Sequence, residues 1–330
     1  MLKVCIFGGG AIGGYIAGHL AHAGLCEVSV VARGATLAAI AENGLSVTTP
    51  AATLQARVRA TDNTAELGVQ DYVFLTLKAH QLEGALDQVR PLIGPQTVIL
   101  PPTTAIPYYF FFGGSGEFRD RRLPGADPHG RQWEALPPQQ VLGCVQWIGA
   151  HVTAPGVVAQ DGPKAGMPIG ELDGSDSQRV RQLSQLLTAS GIESKVNADI
   201  RAAIWVKFVN SLCWNPVAVL TLARLGEIGA DPTAHALVEM LMNEADALAT
   251  RLGLRIPQAP AKRIALTLSA PQHKMSMLQD LEQGRPLELE PLMQSLAAVR
   301  ELAGLPTPTL DTVLALAAVR ARIASHPTNP

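Results

Sequence analysis

The chain has 330 residues, a formal net charge of -2, and is 47% hydrophobic, 16% charged and 5% aromatic. That length exceeds one small core and predicts two domains, in an ordinary globular rather than disordered balance. So little net charge and so few aromatics argue against a nucleic-acid partner, an anionic membrane surface and base-stacking platforms.

Four cysteines, Cys5, Cys26, Cys144 and Cys213, lie far apart and form no CxxC pair. They read as reduced, mostly buried small hydrophobes of a cytosolic protein. His19 and His22 come nearest to a metal-ligand spacing but are expected on the exposed face of a glycine-rich helix, so no metal site is predicted. Glycines within residues 8–14 interrupt any signal-peptide core, and no run reaches the ~18 uninterrupted apolar residues of a membrane span. A cytoplasmic location is expected by default.

Val4-Cys5-Ile6-Phe7 is an apolar run of strand length, followed at once by Gly8-Gly9-Gly10-Ala11-Ile12-Gly13-Gly14. A helical pattern then carries Ile12, Ile16 and Leu20 on one face and stops at Gly24, before a second strand over Glu27 to Val31. This strand–loop–helix–strand context is what a GxGxxG match requires. Gly8 allows the tight turn, Gly10 lets backbone approach a pyrophosphate, and Gly13 lets the helix pack close to the sheet. The N–H groups at the helix start, around Ala11 and Ile12, would bind the phosphates. The bland alternative is a chance glycine cluster at a turn. The second strand ends Val30-Val31-Ala32-Arg33, with no acid to bind a ribose 2′-hydroxyl. Arg33 is free to pair with a 2′-phosphate, which favours NADP(H); otherwise it is a solvated surface arginine.

Ala35 to Glu42 reads as a short helix closed by Asn43-Gly44, with strands following near Leu45–Thr49 and Leu54–Ala60. Tyr72 to Leu77 is a buried strand ending at Lys78, His80 to Leu92 is helical, and Val98-Ile99-Leu100 is another strand. The alternation predicts a mostly parallel sheet with helices on both faces. Lys78 sits just past the carboxyl end of its strand, where such sheets bind ligands. Residues 113–140 crowd Gly113-Gly114-Ser115-Gly116, Pro124-Gly125 and Pro137-Pro138 into an irregular insertion. It is either a lid anchored by the aromatic block Tyr108 to Phe112 or a surface excursion tacked down by it. Strand character returns at Val141–Ile148, near Val157-Val158 and at Met167–Ile169.

From Asp199 onward helical patterns dominate: Asp199 to Leu222, Asp231 to Leu252, Ala261 to Gln283, Glu290 to Leu302 and Thr309 to Ala324. The shift marks the candidate boundary between a Rossmann-type NADP-binding domain, 1–196, and an all-helical domain, 197–330. The helix around Trp205 is apolar nearly all round, yet Lys207, Ser211 and Asn215 recur at i, i+4 and i+8, with Asn210 beside them. A lysine there needs solvent, a partner or a ligand-filled cleft. It suits a general acid; equally, it could snorkel to the surface, with Asn215 merely capping before Pro216. Ser276 and Asp280 lie one helical turn apart, and Glu288, between Leu287 and Leu289, reads as a partly buried carboxylate.

These segments together resemble the ketopantoate reductase (2-dehydropantoate 2-reductase) family over nearly the full chain. The resemblance rests on the glycine turn, Val30-Val31-Ala32-Arg33, Thr76-Leu77-Lys78-Ala79-His80-Gln81, Trp205-Val206-Lys207 with Asn215-Pro216, and Ser276-Met277-Leu278-Gln279-Asp280 with Glu288. It implies NADPH, a small 2-oxo acid substrate, and an active site between a Rossmann domain and a helical domain. Lys207 would hydrogen-bond the carbonyl oxygen and supply the proton, and Glu288 would orient substrate and lysine. Asn215 and Ser276 match substrate-contacting positions, and Lys78 a cofactor- and substrate-side lysine. Two departures fall on the substrate side. The family's Asn-Gly pair is replaced within Pro101-Pro102-Thr103-Thr104-Ala105, and its Asn four residues after the lysine by Ser211, with Asn210 one residue early. Thr104, Ser211 and Asn210 are therefore the candidate substitutes. They leave open a paralogous reductase of another 2-oxo acid and a non-catalytic NADPH-binding protein. The helical half could dimerise, so a homodimer is the candidate protein partner.

Overall fold

The computed structural model describes residues 1–102 and 104–325; Thr103 lies outside them. The first half runs β1 (Lys3–Phe7), α1 (Ala11–Ala23), β2 (Glu27–Val31), α2 (Gly34–Asn43), β3 (Leu45–Thr48), β4 (Thr53–Ala56), β5 (Arg59–Thr61), β6 (Tyr72–Leu75), α3 (Ala79–Val89) and β7 (Val98–Leu100). After α4 (Arg131–Ala135) come β8 (Gly143–Cys144), β9 (Trp147–Ala154), β10 (Val157–Gly166), β11 (Ile169–Gly170) and α5 (Gln178–Ala189).

Five strands form a parallel sheet in the order β5-β2-β1-β6-β7. The order reverses between β1 and β6, so the carboxyl ends of those two strands flank the crevice where open α/β sheets bind ligands. Strand side chains alternate between two cores. Val4, Ile6, Val30 and Phe74 join α1 and α5, while Cys5, Phe7, Val73 and Leu75 join α3 and the helical half. The expected parallel sheet, covered on both faces, is found.

Residues 45–56 depart from that plan. β3 and β4 pair antiparallel and belong to a separate four-stranded sheet, β4-β3-β10-β9. This sheet lies against the far side of α1. A Cβ on Gly18 would come within 2.3 Å of Val47 Cγ2, and one on Gly14 within 2.8 Å of Val158 Cγ2. The expectation that His19 is exposed therefore fails. It is buried against Tyr15, with Nδ1 3.0 Å from the Ser190 carbonyl, because α1 is covered on both sides rather than one.

The helical half comprises α6 (Ile200–Thr221), α7 (Leu225–Ala230), α8 (Pro232–Arg251), α9 (Pro260–Leu268), α10 (Ser276–Glu282), α11 (Leu289–Ala303) and α12 (Pro308–Ser325). The single helix expected over 261–283 is two. Pro271 has no N–H to donate and biases Ala270 away from helical backbone, so α9 stops and α10 begins afresh. α6 starts at its Asp199 N-cap, whose carboxylate accepts the Ala202 amide at 3.1 Å. It is long and apolar enough to cross a membrane, but most of it is buried inside the fold. Residues 113–140 pack down rather than stand off as a lid. Phe118, Leu123 and Leu136 are buried, and Gly125 sits so close under α11 that a Cβ would lie 2.8 Å from both Ala298 Cβ and the Gln294 carbonyl.

Candidate active site

At the end of β1 the chain turns at Gly8 with φ +120°, a conformation that costs side-chain-bearing residues heavily. Thr76, just past β6, donates its hydroxyl to the Gly8 carbonyl at 2.8 Å and ties the two strand ends together. Gly13 is required by contact: a Cβ there would fall 1.8 Å from the Gly8 carbonyl oxygen. Gly10, by contrast, opens on free space, with nothing within 4 Å of where its Cβ would be. No side chain caps the first turn of α1 and no acid lies in it, so the leading amides around Ala11, Ile12 and Gly13 remain for an anion. Arg33, the extended N-cap residue of α2, is exposed at the neighbouring strand end and its guanidinium pairs with no described residue. An open cradle, uncapped amides and a free cation beside them fit the phosphates of a dinucleotide.

Across the crevice, two segments of the helical half reach the N-terminus of α3. Lys78 Nζ binds Asp280 Oδ2 at 2.9 Å and donates to the Pro286 carbonyl at 3.4 Å. Asp280 is nearly buried and also accepts Arg285 Nε at 2.7 Å. Glu288 Oε1 accepts the Ala79 amide, the first of α3, at 3.2 Å. Burial pushes the Glu288 pKa up, opposed by that hydrogen bond and by Lys78 and His80.

Lys207 projects from the middle of α6. Its Nζ lies 4.7 Å from the centroid of the Trp147 ring, at the start of β9, and donates no hydrogen bond to any described residue. Desolvation lowers its pKa, and the charge of Glu288 acts the other way. Of the rest of the stripe, Ser211 is buried with a hydroxyl that no described residue bonds. Asn215 is buried and fully engaged. Its Nδ2 donates to the Ser211 carbonyl at 3.2 Å, while its Oδ1 accepts the Met277 amide at 3.1 Å and the Ser276 hydroxyl at 3.4 Å. Asn215 thus caps α10 from another helix and fixes Ser276, which is exposed. Asn210 turns instead to α9, accepting the Thr267 hydroxyl at 3.2 Å. Thr104 is half-buried past the end of β7, its side chain bonded to no described residue. Lys78 and Glu288 thereby meet at the N-terminus of α3, and the charge of Glu288 reaches Lys207. Trp147 was missed by the sequence reading, since nothing local marks a strand-end tryptophan as the neighbour of a lysine on a distant helix.

A parallel sheet with an open glycine turn at its switch point, faced by a helical half, defines a Rossmann-type pyridine-nucleotide oxidoreductase. The model of the family Ketopantoate reductase PanE/ApbA matches residues 4–102, and that of its C-terminal domain matches residues 199–321. A 2-dehydropantoate 2-reductase of Mesorhizobium japonicum is 42% identical over 96% of both chains. The crystal structure of 2-dehydropantoate 2-reductase from Methylococcus capsulatus superimposes with a TM-score of 0.83 at 25% identity, covering 98% of each chain. D-mandelate dehydrogenase, solved with NADH and anilino(oxo)acetate, shares the fold, with a TM-score of 0.82 at 20% identity over 98% of this chain and 99% of that one. The chain belongs to the ketopantoate reductase family.

Proposed function

We propose that this protein reduces the 2-oxo group of ketopantoate to the hydroxyl of pantoate, with NADPH as reductant. The observation that carries this reading is Lys207: an ammonium set against the Trp147 ring, drawn down in pKa by desolvation, with no hydrogen-bond acceptor among the described residues. The 42% identity to a named 2-dehydropantoate 2-reductase over 96% of the chain supports the substrate. The free guanidinium of Arg33, at a strand end that carries no acid, supports NADPH over NADH.

Gly8, Gly10 and Gly13 shape the phosphate cradle, the amides at Ala11 and Ile12 face it, and Arg33 meets the 2′-phosphate. A nicotinamide held above β1 and β6 would supply the hydride. As charge develops on the substrate oxygen, Lys207 stabilises the alkoxide and then hands it a proton. Glu288 favours the ammonium form of Lys207 by its charge while anchored to the Ala79 amide. Ser276, held by Asn215, and the hydroxyls of Ser211 and Thr104 offer neutral donors to the substrate carboxylate and hydroxyl; Asn210 lines the same helix one step round. Lys78 stands at the cofactor side, steadied by Asp280. On this reading residues 1–196 bind the cofactor, residues 197–330 supply the substrate side and self-association, and the enzyme works in the cytoplasm.

The test follows NADPH oxidation with ketopantoate and a panel of other 2-oxo acids. Turnover with ketopantoate is expected. Turnover confined to another acid would replace the substrate, a result that the shortened Ser211 would explain. Tight NADPH binding with no turnover on any acid would overturn the catalytic reading.

A further inference from the structure

We propose that Trp147 is a positioning residue for the proton donor: its indole face holds the Lys207 ammonium in the cleft by a cation–π contact. This rests on the reading of Lys207 as the general acid. A desolvated ammonium normally finds a carboxylate or carbonyls, and an unpaired one tends to shed its proton. Lys207 donates to no described oxygen, yet its Nζ sits 4.7 Å from the Trp147 centroid, well inside the ~6 Å within which an aromatic face attracts a cation. The ring attracts the charge without occupying a hydrogen-bonding proton. All three N–H donors therefore stay available to the substrate oxygen, which a salt bridge would not allow.

The placement of the tryptophan is consistent with that task. It opens β9, directly paired with Gly166 at the end of β10, and remains 37% exposed. A surface depression of about 290 Å³ adjoins Trp147, lined also by Pro168, Glu193 and Lys195, and this space leaves room for substitution without a core collapse.

The other charges around Lys207 come from several elements. Glu288, between α10 and α11, favours the ammonium. His273, between α9 and α10, feels both Lys207 and Asp161 of β10, and its pKa is lowered chiefly by burial. Asp161 in turn pairs with His151 of β9 at 2.7 Å. Lys78 and Asp280 neutralise each other beside Glu288. On the α8–α9 side the buried Arg263–Asp246 pair acts on Cys213 rather than on Lys207. Among the described residues, Trp147 and Glu288 are therefore the two groups that hold the charge on Lys207.

The test is the pH profile of kcat/KM for ketopantoate at saturating NADPH. Loss of the acid's proton gives the alkaline limb, so removing the ring must lower the pKa of Lys207 and bring that limb to lower pH. Trp147→Leu should shift it by about one pH unit, lowering kcat/KM about tenfold above the wild-type limb and by less than about twofold well below it. NADPH affinity should not change, and Trp147→Phe should restore most of the wild-type profile. If Trp147→Leu does not fold, site-specific fluorotryptophans at 147 keep the shape and weaken the ring's attraction, and the limb should then move stepwise with fluorination. An alkaline limb unmoved by these changes, in an enzyme that Lys207→Ala inactivates, would overturn the role of Trp147 alone. Full activity in Lys207→Ala would overturn the functional reading beneath it.

Discussion

The proposed cofactor cradle and the proposed acid–base cleft are built by different means. The cradle is backbone: one turn at Gly8, one close packing at Gly13, one open position at Gly10, all within a single stretch of chain. The cleft is made of side chains drawn from β6–α3, β9, α6 and the segments before α10 and α11, each group held by another far away in sequence. A backbone device tolerates almost no substitution, since its geometry is its function. A side-chain device can exchange members, and it is here that Ser211 and Thr104 stand where the family resemblance calls for asparagine.

Substitutions in the two regions should therefore fail differently. Lys207→Ala should lower kcat by about 10²–10⁴-fold, the range for a positioned general acid, while dinucleotide affinity measured by fluorescence titration stays within about twofold. Loss of dinucleotide binding would show that the two regions are not separable. Gly13→Val should do the opposite. A Cβ 1.8 Å from the Gly8 carbonyl forces the backbone apart, and urea unfolding should show about 3 kcal/mol or more of lost stability together with lost dinucleotide binding.

The same difference explains what the sequence made legible. The glycine turn could be read because every residue that matters lies within one strand–turn–helix. The Lys207–Ser211–Asn215 stripe could be read because helical periodicity keeps it on one face, and Glu288 because its apolar neighbours implied burial. What could not be read depended on coverage from elsewhere. His19 is buried because the chain after α5, at Ser190 and Gly191, closes over its side of α1, a face that looks free in the helix alone. The break before α10 was masked by apolar periodicity that runs past Pro271. The pairing of Trp147 with Lys207, and the engagement of Asn215 as the cap of α10, join elements that only the tertiary fold brings together.

Two smaller effects sharpen the contrast within each region. Asn215→Leu removes the acceptor of the Met277 amide and frees Ser276. About 2 kcal/mol of stability should be lost, a cap plus a stranded buried N–H. KM for the 2-oxo acid should rise more than KM for NADPH. An unchanged KM for the acid would remove Ser276 from its binding. Arg33→Ala should weaken NADPH by about tenfold, or ~1.4 kcal/mol, the size of one charge-assisted pair, and leave NADH untouched in competition titrations. Equal loss for both would deny the 2′-phosphate contact.

The smallest effect concerns Glu288, where function and stability should pull apart. Burial raises its pKa above the unfolded value, outweighing the help of the Ala79 amide, Lys78 and His80. An acid so shifted contributes most to stability below its unfolded pKa, and that contribution is lost as pH rises through the folded value. Well above the unfolded pKa, Glu288 is therefore a burden on the fold. Glu288→Gln keeps a carbonyl to accept the Ala79 amide and carries no charge at any pH. Its Tm at pH 8 should equal or exceed wild type by about 1–3 °C, and the difference should vanish near about pH 4, where the wild-type carboxyl is itself protonated. Turnover should nevertheless fall, because the carboxylate that supports the Lys207 ammonium is gone. A Tm several degrees lower at pH 8 would mean that the charged contact to the helix N-terminus outweighs desolvation, and that Glu288 is there first to hold the two halves together.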